Sequence, residues 1–195
     1  YRNRMPEGAD VVATRNAIPF FGIGALAEIP LEEILKREDP NDEDGDGISG
    51  RPNVGELGTI GRFGRKAQTG SLEGFVRGPM FNHLGVTSAP LTAEQRQKLP
   101  LTGDDDGQSR QAALGPESGG GFHGFCPTCQ VATPDEPLED SDGVQDPELS
   151  RQELFELVSW ARLLAAPEPD EPTEQTKHGE EVFESIGCAD CHVPA

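Results

Sequence analysis

Positive charge is scarce in this 195-residue chain: 16 Lys and Arg stand against 35 Asp and Glu, a net charge of −19. A chain so acidic repels phosphate backbones and anionic lipid, which argues against nucleic-acid and membrane-surface roles. Long apolar runs are missing too. The longest, Ala17 to Leu26, is too short to cross a bilayer and is interrupted by Pro19, Gly22 and Gly24. Apolar residues make up 34% of the chain and aromatic ones 6%, with a single Trp and a single Tyr. That supply supports one or two modest cores and no more. Cysteine is limited to four residues, arranged as two Cys-x-x-Cys pairs. Four are too few for a disulfide scaffold and point to cofactor chemistry instead. The chain opens on Tyr1 without an initiator Met or a charged-then-apolar signal stretch, and closes three residues after a Cys-His pair. It therefore reads as a processed piece of a longer protein.

What is abundant is Gly (24) and Pro (17), so much of the chain should be loop. A short helix is expected from Pro30 through Glu32, Ile34 and Leu35, with the proline in its first turn. From Asn41 to about Asp142 no helical or strand period is sustained, which predicts long loops packed around something other than a large self-made core. A second helix is expected after Asp146 as N-cap and Pro147 as first helical residue. Leu154, Phe155, Val158, Ala161, Leu164 and Ala165 recur there at three-to-four-residue spacing. Pro167 to Pro172 (PEPDEP) reads as a stiff acidic linker. It divides a loop-rich domain, 1–166, from the start of a second one, 173–195, whose helix should bury Val182, Phe183 and Ile186.

The chemistry is concentrated in Cys188-Ala-Asp-Cys191-His192, a CxxCH haem-attachment signature. On a helical turn, positions i, i+3 and i+4 share a face. Two thiols so placed can form thioethers to the two vinyl groups of one porphyrin while the imidazole reaches the iron. Upstream, Gly179-x-x-x-Phe183-x-x-x-Gly187 resembles the first helix of class I cytochromes c, where the aromatic packs near the haem. Haem c is the cofactor expected, with Cys188, Cys191, His192 and Phe183 around it. The bland alternative is a redox dithiol or half a zinc site.

Cys126-Pro-Thr-Cys129 lacks a following His. A local disulfide suits the oxidising compartment that haem attachment implies. Zinc held by His123, Cys126 and Cys129 would need a fourth ligand, and a thioredoxin-like pair would need a βαβ setting that is not seen. Asp42, Asp44 and Asp46 alternate ahead of Gly47 and Ile48, like the opening of a Ca²⁺ loop. Asn53 replaces the Glu expected at the twelfth position of an EF-hand loop, so a solvated acidic turn is the competing reading. Asp104–Asp106 and Asp140/Asp142 read as plain surface. His83, Met80, His123, His178 and Met5 are what remains for a sixth iron ligand, with His178 facing solvent.

In order along the chain, Arg15–Leu26 (RNAIPFFGIGAL), Asp46–Asn53 (DGISGRPN), Gly61–Ala67 (GRFGRKA), Gly85–Ser88 (GVTS), the LLAAP ending at Pro167 and the closing GCADCHVP resemble the di-haem oxidoreductases once called thiol oxidoreductases. That family is distantly similar to the di-haem cytochrome c peroxidases. The resemblance implies an extracytoplasmic, periplasmic or extracellular protein. It also implies a mostly α, loop-rich fold with cytochrome c-like helices, and a first haem attached upstream of this chain. Where the family has an aromatic in GRFGWKA this chain has Arg65, and where the family has Glu-Met it has His83-Leu84. The resemblance therefore places His83 over a haem, as iron ligand or distal base, and favours electron transfer over peroxide turnover. The expected partner is an electron donor or acceptor with a basic docking face, or the rest of a cytochrome assembly. The competing readings are a non-enzymatic electron carrier and a haem-free metal-binding module holding Ca²⁺ and zinc.

Overall fold

The computed structural model describes Gly8 and residues 17–54, 59–101 and 136–192. Regular structure among the described residues is helical, with isolated bridges and no strand. The helices are α1 (Ile23–Ala27), α2 (Leu31–Leu35), α3 (Leu72–Leu84), α4 (Ala93–Gln97), α5 (Arg151–Leu163) and α6 (Glu174–Ser185).

Helix α5 organises the first part. It does not start at Asp146. Ser150 caps it, its hydroxyl accepting the Glu153 amide while the Glu153 carboxylate accepts the Ser150 amide at 2.9 Å. This reciprocal box satisfies two otherwise orphaned donors and so outcompetes a cap further upstream. Leu154, Val158 and Ala161 lie fully buried on one face, Phe155 and Leu164 are half-buried, and Ala165 is exposed.

The middle of the chain departs from expectation. Helix α3 spans thirteen residues there, although Gly74, Gly78 and Pro79 interrupt its apolar pattern. Its ends explain it: the Ser71 hydroxyl accepts the Gly74 amide at 3.1 Å, and Gly85 closes the helix in the left-handed conformation. A self-made core results. Leu72 and Val76 of α3 meet Leu154, Val158 and Ala161 of α5, Ile23 and Ala27 of α1, and Phe63, Leu91 and Leu99 from the loops. Burying an aliphatic side chain of this size contributes about 1.5–3 kcal/mol before conformational entropy is counted.

Segments far apart in sequence lock together at α1. Gly24 passes so close to α5 that an added Cβ would sit 1.9 Å from the Arg162 carbonyl oxygen. The Gly22 amide donates to the Leu164 carbonyl at 2.8 Å. Buried Arg62 donates to the Ala27 and Ile29 carbonyls at 2.9 and 2.8 Å, satisfying the C-terminal end of α1. Phe20 stacks on Phe75 and on Trp160, and Phe75 on Phe63, with centroids 5.9–6.4 Å apart.

Buried charge is used as a clamp. Arg77, fully buried on α3, donates to the Ser88 hydroxyl and carbonyl and to the Glu136 carbonyl at 2.6–3.3 Å. Thr87 exchanges hydrogen bonds with Glu148. Together they tie Gly85–Ser88 to the segment leading into α5. At the other end of α3, Glu73 takes Arg96 at 2.7 Å and the Leu91 amide at 2.8 Å.

The last helix differs from the expectation that it would bury Val182, Phe183 and Ile186. Helix α6 buries none of its residues; Val182 is 39% and Ile186 69% exposed, and Phe183 is half-buried. Residues 165–182, including the PEPDEP stretch, are all exposed. No helix of the described residues is long and apolar enough to cross a membrane.

Candidate functional site

The CxxCH residues form one compact turn at the end of α6. Thr173 caps the helix, and Gly187, at φ 80°, stops it and turns the chain back. A 3-10 turn over Cys188–Asp190 follows. The His192 amide then donates to the Cys188 carbonyl at 2.9 Å, and the Cys191 amide to the same oxygen at 3.3 Å. Cys188 and Cys191 are free thiols, the first half-buried and the second exposed. The Phe183 and His192 rings lie 6.4 Å apart, tilted by 58°. So the second glycine of Gly179-x-x-x-Phe183-x-x-x-Gly187 supplies the positive φ of the reversal, which only glycine adopts cheaply. The aromatic, one helical turn earlier, is thereby brought against the histidine.

This donor set suits a covalently attached haem. Two accessible thiols and an imidazole occupy a single turn. The open apolar stripe of Val182 and Ile186 beside Phe183 offers a surface for a flat apolar macrocycle.

His83 is placed elsewhere. It is exposed on the last turn of α3, a helix that packs against α5. Met80 is partly buried and packs against the core cluster. His178 is exposed and meets Glu181 at 3.4 Å. Met5, His123, the Cys126–Cys129 pair and Asp104–Asp106 lie outside the described residues.

The acidic loop regroups its carboxylates. Asp39, Asp42 and Asp44, rather than Asp42, Asp44 and Asp46, bring ligand oxygens within 4.8 Å of one another. The cause is loop closure: the Asp39 amide donates to the Gly50 carbonyl at 3.0 Å and Arg51 donates to the Pro40 carbonyl at 2.5 Å, drawing Asp39 to the base of the loop. Asp46 lies outside this group; it is exposed and accepts the Ile48 amide at 2.7 Å. Asp39 had no flanking alternation to mark it. The Asp140/Asp142 loop repeats this local pattern, with the Val144 amide donating to Asp142 at 2.7 Å, and both residues are exposed. No family model, no curated protein and no solved structure matches this chain.

Proposed function

We propose that the chain is part of an extracytoplasmic c-type haem protein of the di-haem oxidoreductase kind, working in electron transfer. The observation that supports it most is the single turn that gathers Cys188, Cys191 and His192 and sets the Phe183 ring beside the imidazole. Cys188 and Cys191 would hold the porphyrin as thioethers and His192 would ligate its iron, with Phe183 packing on the ring. The group supplies one-electron chemistry, and the chain tunes it through ligand identity, burial and hydrogen bonding. His83, exposed on α3, would serve as a further iron ligand, which would make the protein an electron-transfer variant; His83→Ala in the full-length protein should then convert low-spin iron to high-spin. The electron partner is a protein with a basic face. Asp42 and Asp44, with Asp39 now in place of Asp46, are proposed to hold Ca²⁺, whose hard oxygen preference they match. Calorimetry with Ca²⁺ should show binding that Asp44→Asn weakens; no heat at millimolar Ca²⁺ would reduce the loop to a solvated turn.

The decisive experiment is intact mass and absorption after expression with a haem-attachment system. The expected result is a mass increased by one covalent haem per CxxCH, a Soret band, and thiols at Cys188 and Cys191 that resist alkylation. A bare-chain mass with both thiols alkylated overturns the reading.

A further inference from the structure

Three Asp-Gly pairs lie among the described residues, Asp44-Gly45, Asp46-Gly47 and Asp142-Gly143, and all six residues are exposed. In such a pair the side-chain carboxyl is open to attack by its own backbone, because glycine has no Cβ to shield the following nitrogen. Access does not separate the three: an added Cβ at Gly45, Gly47 or Gly143 would meet nothing within 4 Å. Nor does the carboxylate, which in each case accepts the amide two residues on: Asp46 to Asp44 at 3.2 Å, Ile48 to Asp46 at 2.7 Å and Val144 to Asp142 at 2.7 Å. The glycine nitrogen does separate them. Gly45 donates its amide to the Asp42 carbonyl at 3.3 Å, and Gly47 donates to the Asp42 carboxylate at 3.0 Å. Among the described residues the Gly143 amide donates to nothing.

We propose that Asp142 is a site of backbone self-modification, where the Gly143 nitrogen closes on the Asp142 side chain and isoaspartate results. The nitrogen bonds to Cγ of Asp142 and loses its proton, the Cγ–O bond breaks, and water leaves behind a five-membered succinimide. Water then reopens the ring. Addition at the side-chain carbonyl restores Asp142; addition at the main-chain carbonyl leaves the backbone running through the side chain, with a free α-carboxylate. No oxidant, metal or second protein enters the balance. At Gly45 and Gly47 the same attack must first break a hydrogen bond, which slows it by about two- to tenfold. The fold accommodates the product. The Leu138 amide on the Ser88 carbonyl at 2.9 Å and the Leu149 amide on the Thr87 carbonyl at 3.0 Å pin the chain on either side, so the extra backbone methylene stays in the exposed loop between them. An isoaspartyl residue of this kind is a substrate for carboxyl methyltransferases that esterify its α-carboxylate. The proposal rests on neither haem nor Ca²⁺.

The test is peptide mapping of the full chain after warm incubation at mildly acidic pH, with isoaspartate located by methyltransferase labelling and fragmentation. A chelator is present throughout, so that protection of Asp44 and Asp46 cannot come from a bound cation. Isoaspartate is expected to accumulate several-fold faster at Asp142 than at Asp44 or Asp46. In the native chain the Gly143 amide should also exchange with deuterium faster than those of Gly45 and Gly47. In concentrated urea the three sites should react at similar rates. Isoaspartate at Asp44 or Asp46 keeping pace with Asp142, or none at Asp142, overturns the proposal. So does a ranking that persists in urea, which would trace it to neighbouring residue types, or a Gly45 or Gly47 amide that exchanges as fast as Gly143.

Discussion

Gly24 and Gly78 are both helical glycines, and their surroundings give them opposite meanings. At Gly24 an added Cβ would meet the Arg162 carbonyl at 1.9 Å, a backbone atom that cannot swing aside. Gly24→Ala is expected to destabilise the fold toward the upper end of roughly 1–3 kcal/mol. At Gly78, inside α3, an added Cβ meets nothing within 4 Å. Gly78→Ala should therefore change stability by less than about 1 kcal/mol, the lower backbone entropy of the unfolded chain being opposed by the crowding of the new Cβ against the Pro79 ring. Urea unfolding of the two variants checks the pair, and a loss at Gly78→Ala as large as that at Gly24→Ala would overturn the contrast. The close approach at Gly24 cannot be read from the sequence, which does not show the Arg162 carbonyl opposite it. The same holds for Arg77 and Arg62, whose buried guanidinium groups organise carbonyls contributed by loops distant in the chain.

Among the elements, α5 was legible and α3 was not. The apolar residues of α5 recur at helical spacing and its buried face is the one the spacing predicts, but Ser150–Glu153 moved the start four residues beyond Asp146. In α3, two glycines and a proline blur the period, and the surviving signals were its caps, Ser71 and Gly85. The cap of α5 carries a pH signature. The Ser150 hydroxyl, and then the Ser150 amide, hold the Glu153 carboxyl below its ordinary value of 4.5. A carboxyl lowered in the folded state binds fewer protons there than in the unfolded chain. Its contribution is fully present above the unfolded value and is lost as pH falls through the lower folded one. The stability gap between wild type and Glu153→Gln should accordingly be full at neutral pH and shrink as pH falls below about 4.5. Urea midpoints across that range measure it, and a gap that does not change with pH would rule out the charge-assisted cap.

For the whole molecule, the core formed by α1, α3 and α5 is built without help from α6, which buries none of its residues. A chain ending after Ala166 is expected to unfold at the same urea midpoint as the full chain, within about 0.5 kcal/mol. A clear fall in that midpoint would show that α6 contributes to the core's stability. The arrangement also gives the quoted motifs a packing role. RNAIPFFGIGAL, GRFGRKA and LLAAP meet through Gly24, Arg62 and the Leu164 carbonyl, and Gly61 passes Ala67 so closely that its added Cβ would fall 1.7 Å from a carbonyl oxygen. Gly24 and Gly61 answer to close backbone contacts, and Gly22 and Gly64 to positive φ angles of 74° and 88°.

Read as a string, the chain already specified its local features: the α class, the helical faces, the acidic character and the CxxCH spacing. These depend on residues a few positions apart, and one turn of backbone relates them. Longer-range relations could not be read in that way. That Asp39 replaces Asp46 in the carboxylate group follows from a loop closed at Gly50. That α3 forms despite Pro79 follows from the burial of Leu72 and Val76 against α5. That Val182 and Ile186 stay open follows from α6 having no covering element among the described residues. Each outcome depends on which distant backbone comes close, and in α3 packing offsets local propensity because each buried aliphatic side chain contributes about 1.5–3 kcal/mol against roughly 1 kcal/mol opposed by each glycine and 3 by the proline.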